Sequence, residues 1–557
     1  MKFDQLGGNK FLAMSLPVRE CGLKSQNHTF FPPKINVTPC AGVWIEVIKR
    51  TIQYRKSIFY GGIAMRLLLG IDIGTSSTKV MLLDAERGVL GVEKKAYDVS
   101  IPRPDYAEQD PELWWSAVLY CIGKLKQTFG ALFPHIVSIG LSGQMHGLVL
   151  TDKCGQPIRP AILWLDQRSG EECRELNRLI PEEILQDSIL NRIFPGFALT
   201  SLLWVKKWEP ENFARIHRVM QPKDYIRYKL TGLLGSEVTD ASATLLFDVV
   251  KRQWSWKVMD LCGFPHEIFP DCHESWEIQG NVSNACAAAT GLPVSVRVIY
   301  GMGDQQAQSI GNGIFEEGTF ICNIGTGGQV SAFSREPVYD RKLRTQTFCH
   351  GIDGAYSIYG AILNAGMSLK WLRDNILEEK DFMMLSHMAE EVSAGSEGLV
   401  FLPYLTGERT PHMNPEARGM FYGLQLAHTK KHMARAVMEG VTFALRDCME
   451  ILKEMGIRAN TMISSGGGAA SPVWLQMQAD ILNQEIRVCN VTEQACLGAC
   501  MLAGVSAGCF ADLREARDRF VTYGEKIYQP DRDTVKVYDR IYRTYQALYR
   551  QTENLIE

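Results

Sequence analysis

The sequence predicts a two-domain α/β protein whose halves share one plan and face each other. Three observations carry that reading. The chain has 557 residues, too many for one compact core. From Met65 onward, short apolar runs that read as strands alternate with stretches of helical periodicity. Finally, Ile71-Asp-Ile-Gly-Thr-Ser-Ser77 recurs as Cys322-Asn-Ile-Gly-Thr-Gly-Gly328, each copy closing a strand with Ile-Gly-Thr.

The elements follow in order. Leu67-Leu-Leu-Gly-Ile-Asp-Ile-Gly74 reads as a buried strand, and after a Thr/Ser turn Val80-Met-Leu-Leu-Asp84 reads as its hairpin partner. A helix is expected at about 110–129: Asp110 caps it, Pro111 takes its first position, and Leu113, Trp114, Ala117, Val118, Cys121, Ile122 and Leu125 form the apolar face. Ile136-Val-Ser-Ile-Gly-Leu141 is strand-like and runs into Ser142-Gly-Gln-Met-His-Gly147. In the second half the repeated hairpin offers N–H groups suited to phosphate oxygens. Gly466, Gly467 and Gly468 let the backbone lie against a flat ligand before a helix begins at Ser471-Pro472. Only the first hairpin carries an acid, Asp72 against Asn323, so one loop is expected near a metal ion and the other near phosphate alone. No G-x-x-x-x-G-K-[ST] loop occurs.

Bulk chemistry narrows the function. With 46% hydrophobic and 22% charged residues the chain is that of an ordinary globular protein, and a formal net charge of −3 gives no basic face for nucleic acid. The 15 cysteines contain no C-x-x-C, and Cys496 and Cys500, one helical turn apart, have no neighbours to complete a metal site; they read as small buried hydrophobes. No run of eighteen apolar residues and no signal peptide is visible, so no membrane contact is expected and the cytoplasm is the expected location. Residues 1–64 have no clear period and stop abruptly at Met65. They read as a non-native or disordered leader, with Gly61-Gly62 fitting a purine-rich stretch translated in frame ahead of a start at Met65.

With these pieces in place, the chain from about Met65 onward resembles the FGGY carbohydrate kinases of the actin, Hsp70 and sugar-kinase superfamily. The resemblance is carried by GIDIGTSSTKVMLLD (70–84), SGQMHG (142–147), PAILWLDQR (160–168), PGF (195–197), PKDYIRYKLTG (222–232), GMGDQQAQSIGNG (301–313), FLPYLTGERTPHMNPEARGMFYGL (401–424) and SGGGAASPVW (465–474). It is most similar to the branch that phosphorylates xylulose. The resemblance implies two ribonuclease-H-like domains facing across a deep cleft: 65–313 for sugar and Mg²⁺, 314–510 for nucleotide, and a helical tail at 511–557. It implies ATP and Mg²⁺ as cofactors and phosphorylation of a ketose hydroxyl, D-xylulose to D-xylulose 5-phosphate, with sedoheptulose or ribulose as alternatives. An actin- or Hsp70-like ATPase is the reading from another class, and a homodimer is left open.

The resemblance also implies roles. Asp304 is the general base that takes the hydroxyl proton. Met145, His146, Gln144, Asp166 and Gln305 bind the sugar. Asp72 helps to hold Mg²⁺ through water. Gly74, Thr75 and Ser76, with Gly325, Thr326 and Gly327, clasp phosphates, and Gly466, Gly467, Gly468 and Ala469 face the adenosine. The charged pair of Gly407-Glu-Arg-Thr410 is expected to shape the cleft. Two positions depart from the family pattern: Gln305 stands where Asn is usual after the base, and Leu165 where Asn is usual before the acid of W-x-D. Both lie near the expected sugar pocket.

Overall fold

A computed structural model describes residues 65–553 and 555. The reading of residues 1–64 as a leader lies outside the described residues.

Two sheets organise the chain. The first has the order Ile278–Asn281, Arg297–Ile299, Ile136–Gly143, Leu67–Ile73, Ser77–Asp84, Gly88–Ala96, with Met302–Gly303 also paired to Ile136–Gly143. The second has the order Gln346–Cys349, Tyr356–Ile362, Gly328–Ser334, Gly318–Ile324, Ala459–Gly466, Glu485–Val488. The repeat seen in the sequence is a repeat in register. In each half the leading strand is antiparallel to its hairpin partner and parallel to a later strand, so that Ile73 sits beside Gly143 and Ile324 beside Gly466. Leu67–Ile73 is buried along its whole length, as a strand covered on both faces must be.

The first sheet is covered on one side by the helix Pro111–Phe129. Asp110 accepts from Glu112 N and Pro111 begins the helix, as the sequence predicts. Its buried face holds Trp114, Ala117, Val118, Cys121, Ile122 and Leu125. Leu113 is a correction: it points away from that face and is exposed.

The other side is covered by Gln494–Ser506, a helix of small residues from the second half of the sequence. Its approach is so close that a Cβ on Gly70 would lie 2.2 Å from Cys496 O, and one on Gly140 2.0 Å from Ala499 O. The helix Asp304–Gly311 crosses it equally tightly, since a Cβ on Gly498 would lie 2.0 Å from Ala307 O. Cys496 and Cys500 are fully buried in this crossing and serve as packing. The second sheet is backed by the long helix Lys430–Glu454, and Arg532–Thr552 packs in turn on that helix, its Tyr538, Tyr542, Tyr545 and Tyr549 recurring at helical spacing on the buried face. No helix among the described residues is long and apolar enough to cross a membrane.

Candidate active site

The first hairpin ends in a braced tip. Gly74 N donates to Ser77 O at 3.0 Å, and Tyr97 OH donates to Gly74 O at 2.7 Å. Thr75 is held on three sides: its hydroxyl donates to Gln144 Oε1 (2.9 Å) and accepts from Trp164 Nε1 (3.0 Å), while its carbonyl accepts from Gln109 Nε2 (2.8 Å). Only Ser76 of the tip is fully exposed. Gln144 is therefore a brace of the hairpin, buried and committed to Thr75 and Gln109. Its expected contact with sugar is corrected on that ground.

Asp72 closes the strand below this tip and is 7% exposed. Ser142 Oγ donates to its Oδ1 at 2.8 Å, and burial raises its pKa above the usual carboxylate range despite that bond and the Lys79 charge. Lys79 is itself paired with Glu493 at 2.6 Å.

Asp304 starts the helix Asp304–Gly311 immediately after Met302–Gly303, the strand beside Ser142 and Gly143. Burial, and next the negative charge of Asp72, push its carboxyl up to about 7. Two carboxylates that repel each other across a small space form a natural seat for a divalent cation. Asp72, with one oxygen free of Ser142, fits a Mg²⁺ ion that keeps much of its water. Among the described residues no group of three or more His, Cys, Asp or Glu forms a protein-only metal cage.

The turn that presents Asp304 is pinned from behind. Gly303 N donates to Thr239 Oγ1 at 2.8 Å, and Thr239 Oγ1 donates to Glu237 Oε1 at 2.7 Å. Lys223 Nζ lies 3.3 Å from Glu237 Oε1, 3.0 Å from Asp224 Oδ1 and 3.2 Å from Asp240 Oδ2, all fully buried. Asp240 shares the Lys223 ammonium with these neighbours, and burial pushes its pKa well up. Met145 is also behind Asp304: a Cβ on Gly303 would lie 2.7 Å from Met145 Cγ, so the buried Met145 side chain packs under the turn.

His146 has a left-handed backbone, φ 69°, that turns its ring onto Phe197, centroids 4.1 Å apart, with Phe348 at 5.6 Å. Its Nδ1 is 2.9 Å from Ala243 O. A carbonyl only accepts, so Nδ1 carries the hydrogen and Nε2 is left with a lone pair. Burial lowers the pKa to about 4, so the ring is neutral at pH 7 and Nε2 is able to accept a hydrogen bond. Thr239 lies in the first turn of one five-residue helix, Val238–Ser242, and Ala243 caps its end, so this helix ties His146 to the turn carrying Asp304.

Asp166 is a second correction. It is fully buried, its oxygens accepting from Ala107 N (2.6 Å), Arg168 N (3.0 Å) and Arg168 Nη2 (2.7 Å). It anchors the loop that delivers Trp164 to Thr75 and does not reach the cleft surface. Leu165 beside it is 42% exposed. Gln305 accepts from the Gln329 side chain of the second sheet.

The second half supplies a cavity of about 620 Å³ between the second hairpin and the glycine turn. Gly325, Thr326, Gly467 and Gly468 line it; Gly327, Gly466 and Ala469, expected beside them, are not among its lining residues. Gly466 is in the left-handed region, φ 75°, and a Cβ there would lie 2.4 Å from Asn323 Oδ1. The outer wall was not visible in the motifs: Met367, Lys370, Phe382 and Met383 come from a stretch without one. Gly366 alone hints at it, because a Cβ there would lie 2.4 Å from Gly325 O.

Glu408 and Arg409 lie between these regions. Glu408 accepts from Leu363 N (3.1 Å) and Arg409 N (2.7 Å), and burial pushes its carboxyl up to about 8.

Comparison with known proteins agrees with this geometry. The model of the FGGY family of carbohydrate kinases matches twice, its N-terminal domain over residues 67–311 and its C-terminal domain over 320–507. A xylulose kinase of Lactococcus lactis is 37% identical over 88% of this chain and 98% of its own length, and one of Bacillus subtilis is 35% identical over the same shares. The solved structure of a xyloylose kinase from Brucella ovis superposes with a TM-score of 0.84 at 32% identity, covering 88% of this chain and all of that one. This chain belongs to the FGGY family of carbohydrate kinases.

Proposed function

We propose that this kinase transfers the γ-phosphoryl group of ATP to a hydroxyl of D-xylulose, giving D-xylulose 5-phosphate, with Asp304 as general base. One observation carries the base assignment: the Asp304 carboxyl, held by a pinned turn beside Asp72, has its pKa pushed to about 7. A base of that pKa is part ionised at neutral pH and strong enough to receive a proton in the transition state.

The sugar hydroxyl donates to Asp304. As the hydroxyl oxygen bonds to phosphorus, its proton passes to the carboxylate and the bond from phosphorus to the bridging oxygen of ADP breaks. The neutral His146 Nε2 accepts from another hydroxyl and fixes the sugar's orientation. The N–H groups of the two hairpins and Thr75 orient phosphate oxygens, and the cavity lined by Gly467, Gly468 and Phe382 receives the adenosine. Mg²⁺, water-linked to Asp72, would neutralise charge on the β- and γ-phosphates.

Leu165 and Gln305 support a second reading in which sedoheptulose or ribulose is preferred, because both depart from the family pattern near the sugar. A coupled ADP-release assay across a ketose panel decides. D-xylulose should show the highest kcat/KM. A higher value for another ketose would replace the substrate, and no release with any sugar would overturn the reading.

A further inference from the structure

Arg409 presents an unpaired guanidinium. It is half-buried, its backbone N–H donates to Glu408, and among the described residues no carboxylate or carbonyl takes a hydrogen bond from its side chain. Burial alone lowers its pKa, and Glu408 recovers part of that through charge. Glu408 is spent on two backbone N–H groups, however, and burial holds it near neutrality. Even partial withdrawal of a guanidinium from water is unfavourable without an acceptor. Such a side chain is retained where something else supplies the acceptor.

Its surroundings say what that is. The guanidinium carbon lies 5.8 Å from the centroid of Phe194; Phe194 is 6.1 Å from Phe197, and Phe197 4.1 Å from His146. The row thus runs from five N–H donors, over two aromatic rings, to a neutral imidazole with a free lone pair. The Arg409 charge is felt at His146, whereas Asp304 feels Asp72, so cationic and anionic ends of the site are separated. Donors, the partly exposed ring of Phe194 for C–H groups, backed by the buried Phe197, and one acceptor match a polyhydroxylated ligand with a carbonyl at the cationic end.

We propose that Arg409 is a substrate-contacting residue that donates to the ketose carbonyl and C1 hydroxyl, the end remote from the hydroxyl that is phosphorylated. The inference rests on the ketose kinase reading above. Arg409 belongs to the second half of the chain, whereas His146, Phe194 and Phe197 belong to the first. Bound sugar is then gripped by both halves, and Arg409 of the Glu-Arg pair binds substrate instead of only shaping the cleft.

The test is a comparison of the full-length parent with Arg409→Gln and Arg409→Lys, using D-xylulose, 1-deoxy-D-xylulose and xylitol, with steady-state kinetics and titration calorimetry. Arg409→Gln should raise KM and Kd for D-xylulose about tenfold or more, as expected for losing a charge-assisted hydrogen bond. KM for ATP and Tm should stay near parental values, and Lys should recover part of the loss. Removing O1 or the carbonyl should cost the Gln variant less than the parent. An unchanged KM, an equal rise in KM for ATP together with a fall in Tm, or full additivity with both analogues would overturn the inference. These outcomes are separable from failure of the kinase reading: parental D-xylulose turnover with no effect of Arg409→Gln defeats this inference alone, and absence of D-xylulose binding to the parent defeats both.

Discussion

The two hairpins share strand order, register and the Ile-Gly-Thr tip, yet their surroundings are opposite. The first is locked by side chains: Gln144, Trp164, Gln109 and Tyr97 all bond to Gly74 or Thr75, and a buried acid lies beneath. The second is held by backbone alone, with Gly366 N on Gly325 O at 2.8 Å and Ala365 N on Thr326 O at 3.1 Å, and it opens onto an apolar cavity. In the proposed reaction one motif thus serves two tasks. Where charge is to be moved, fixed dipoles and a rigid base lower reorganisation cost. Where a flat, largely apolar group is to be received, access for the backbone matters most.

That contrast can be broken at either end. The largest effect belongs to Asp304→Asn, which keeps the shape and removes the proton acceptor. Its kcat should fall by about 10²–10⁴-fold with KM for ATP little changed, measured by ADP release with saturating ketose. Next is Gly468→Val: a Cβ at Gly468 would already lie 2.6 Å from the Ile324 side chain. Overpacking of about 1–3 kcal/mol should raise KM for ATP about tenfold and leave ketose binding as it was. A matching rise in KM for both substrates would mean that the two regions are not separable.

Smallest is Thr239→Val, which removes the hydroxyl holding Gly303 N. The loss of one buried hydrogen bond should lower kcat by roughly two- to tenfold, and Thr239→Ser should restore it. Parental kcat in the Val variant would show that the Asp304 turn needs no such pin.

Much of this was legible in the sequence, and the reasons differ by region. The strands, the hairpin repeat and the Asp110-capped helix follow from periodicity and capping alone. Asp72, His146 and the glycine turn sit in motifs whose backbone demands are local, as the left-handed φ of His146 and Gly466 shows. Gln144 and Asp166 were misread because a motif names a residue but not where its side chain points; one brace lies beneath Thr75, the other beneath Trp164. Phe382 and Met383 carry no pattern that marks them as a cavity wall. The tight seating of Gln494–Ser506 on the first sheet is likewise a long-range fact, visible in sequence only as a run of small residues.

In the proposed mechanism Asp304 must be ionised to act, while its surroundings push its pKa up to about 7. Its folded pKa is raised above the ordinary value, so protonation favours the folded state at low pH and ionisation at high pH costs stability but enables catalysis. The direct measurement is the pH dependence of kcat/KM for D-xylulose in the parent, with Asp304→Asn beside it. The parent should show an acid limb whose midpoint lies near pH 7, with activity rising as the carboxyl ionises, and the residual activity of the variant should show no such limb. An acid limb at the ordinary carboxylate pKa near 4, or one near 7 that survives in Asp304→Asn, would contradict it.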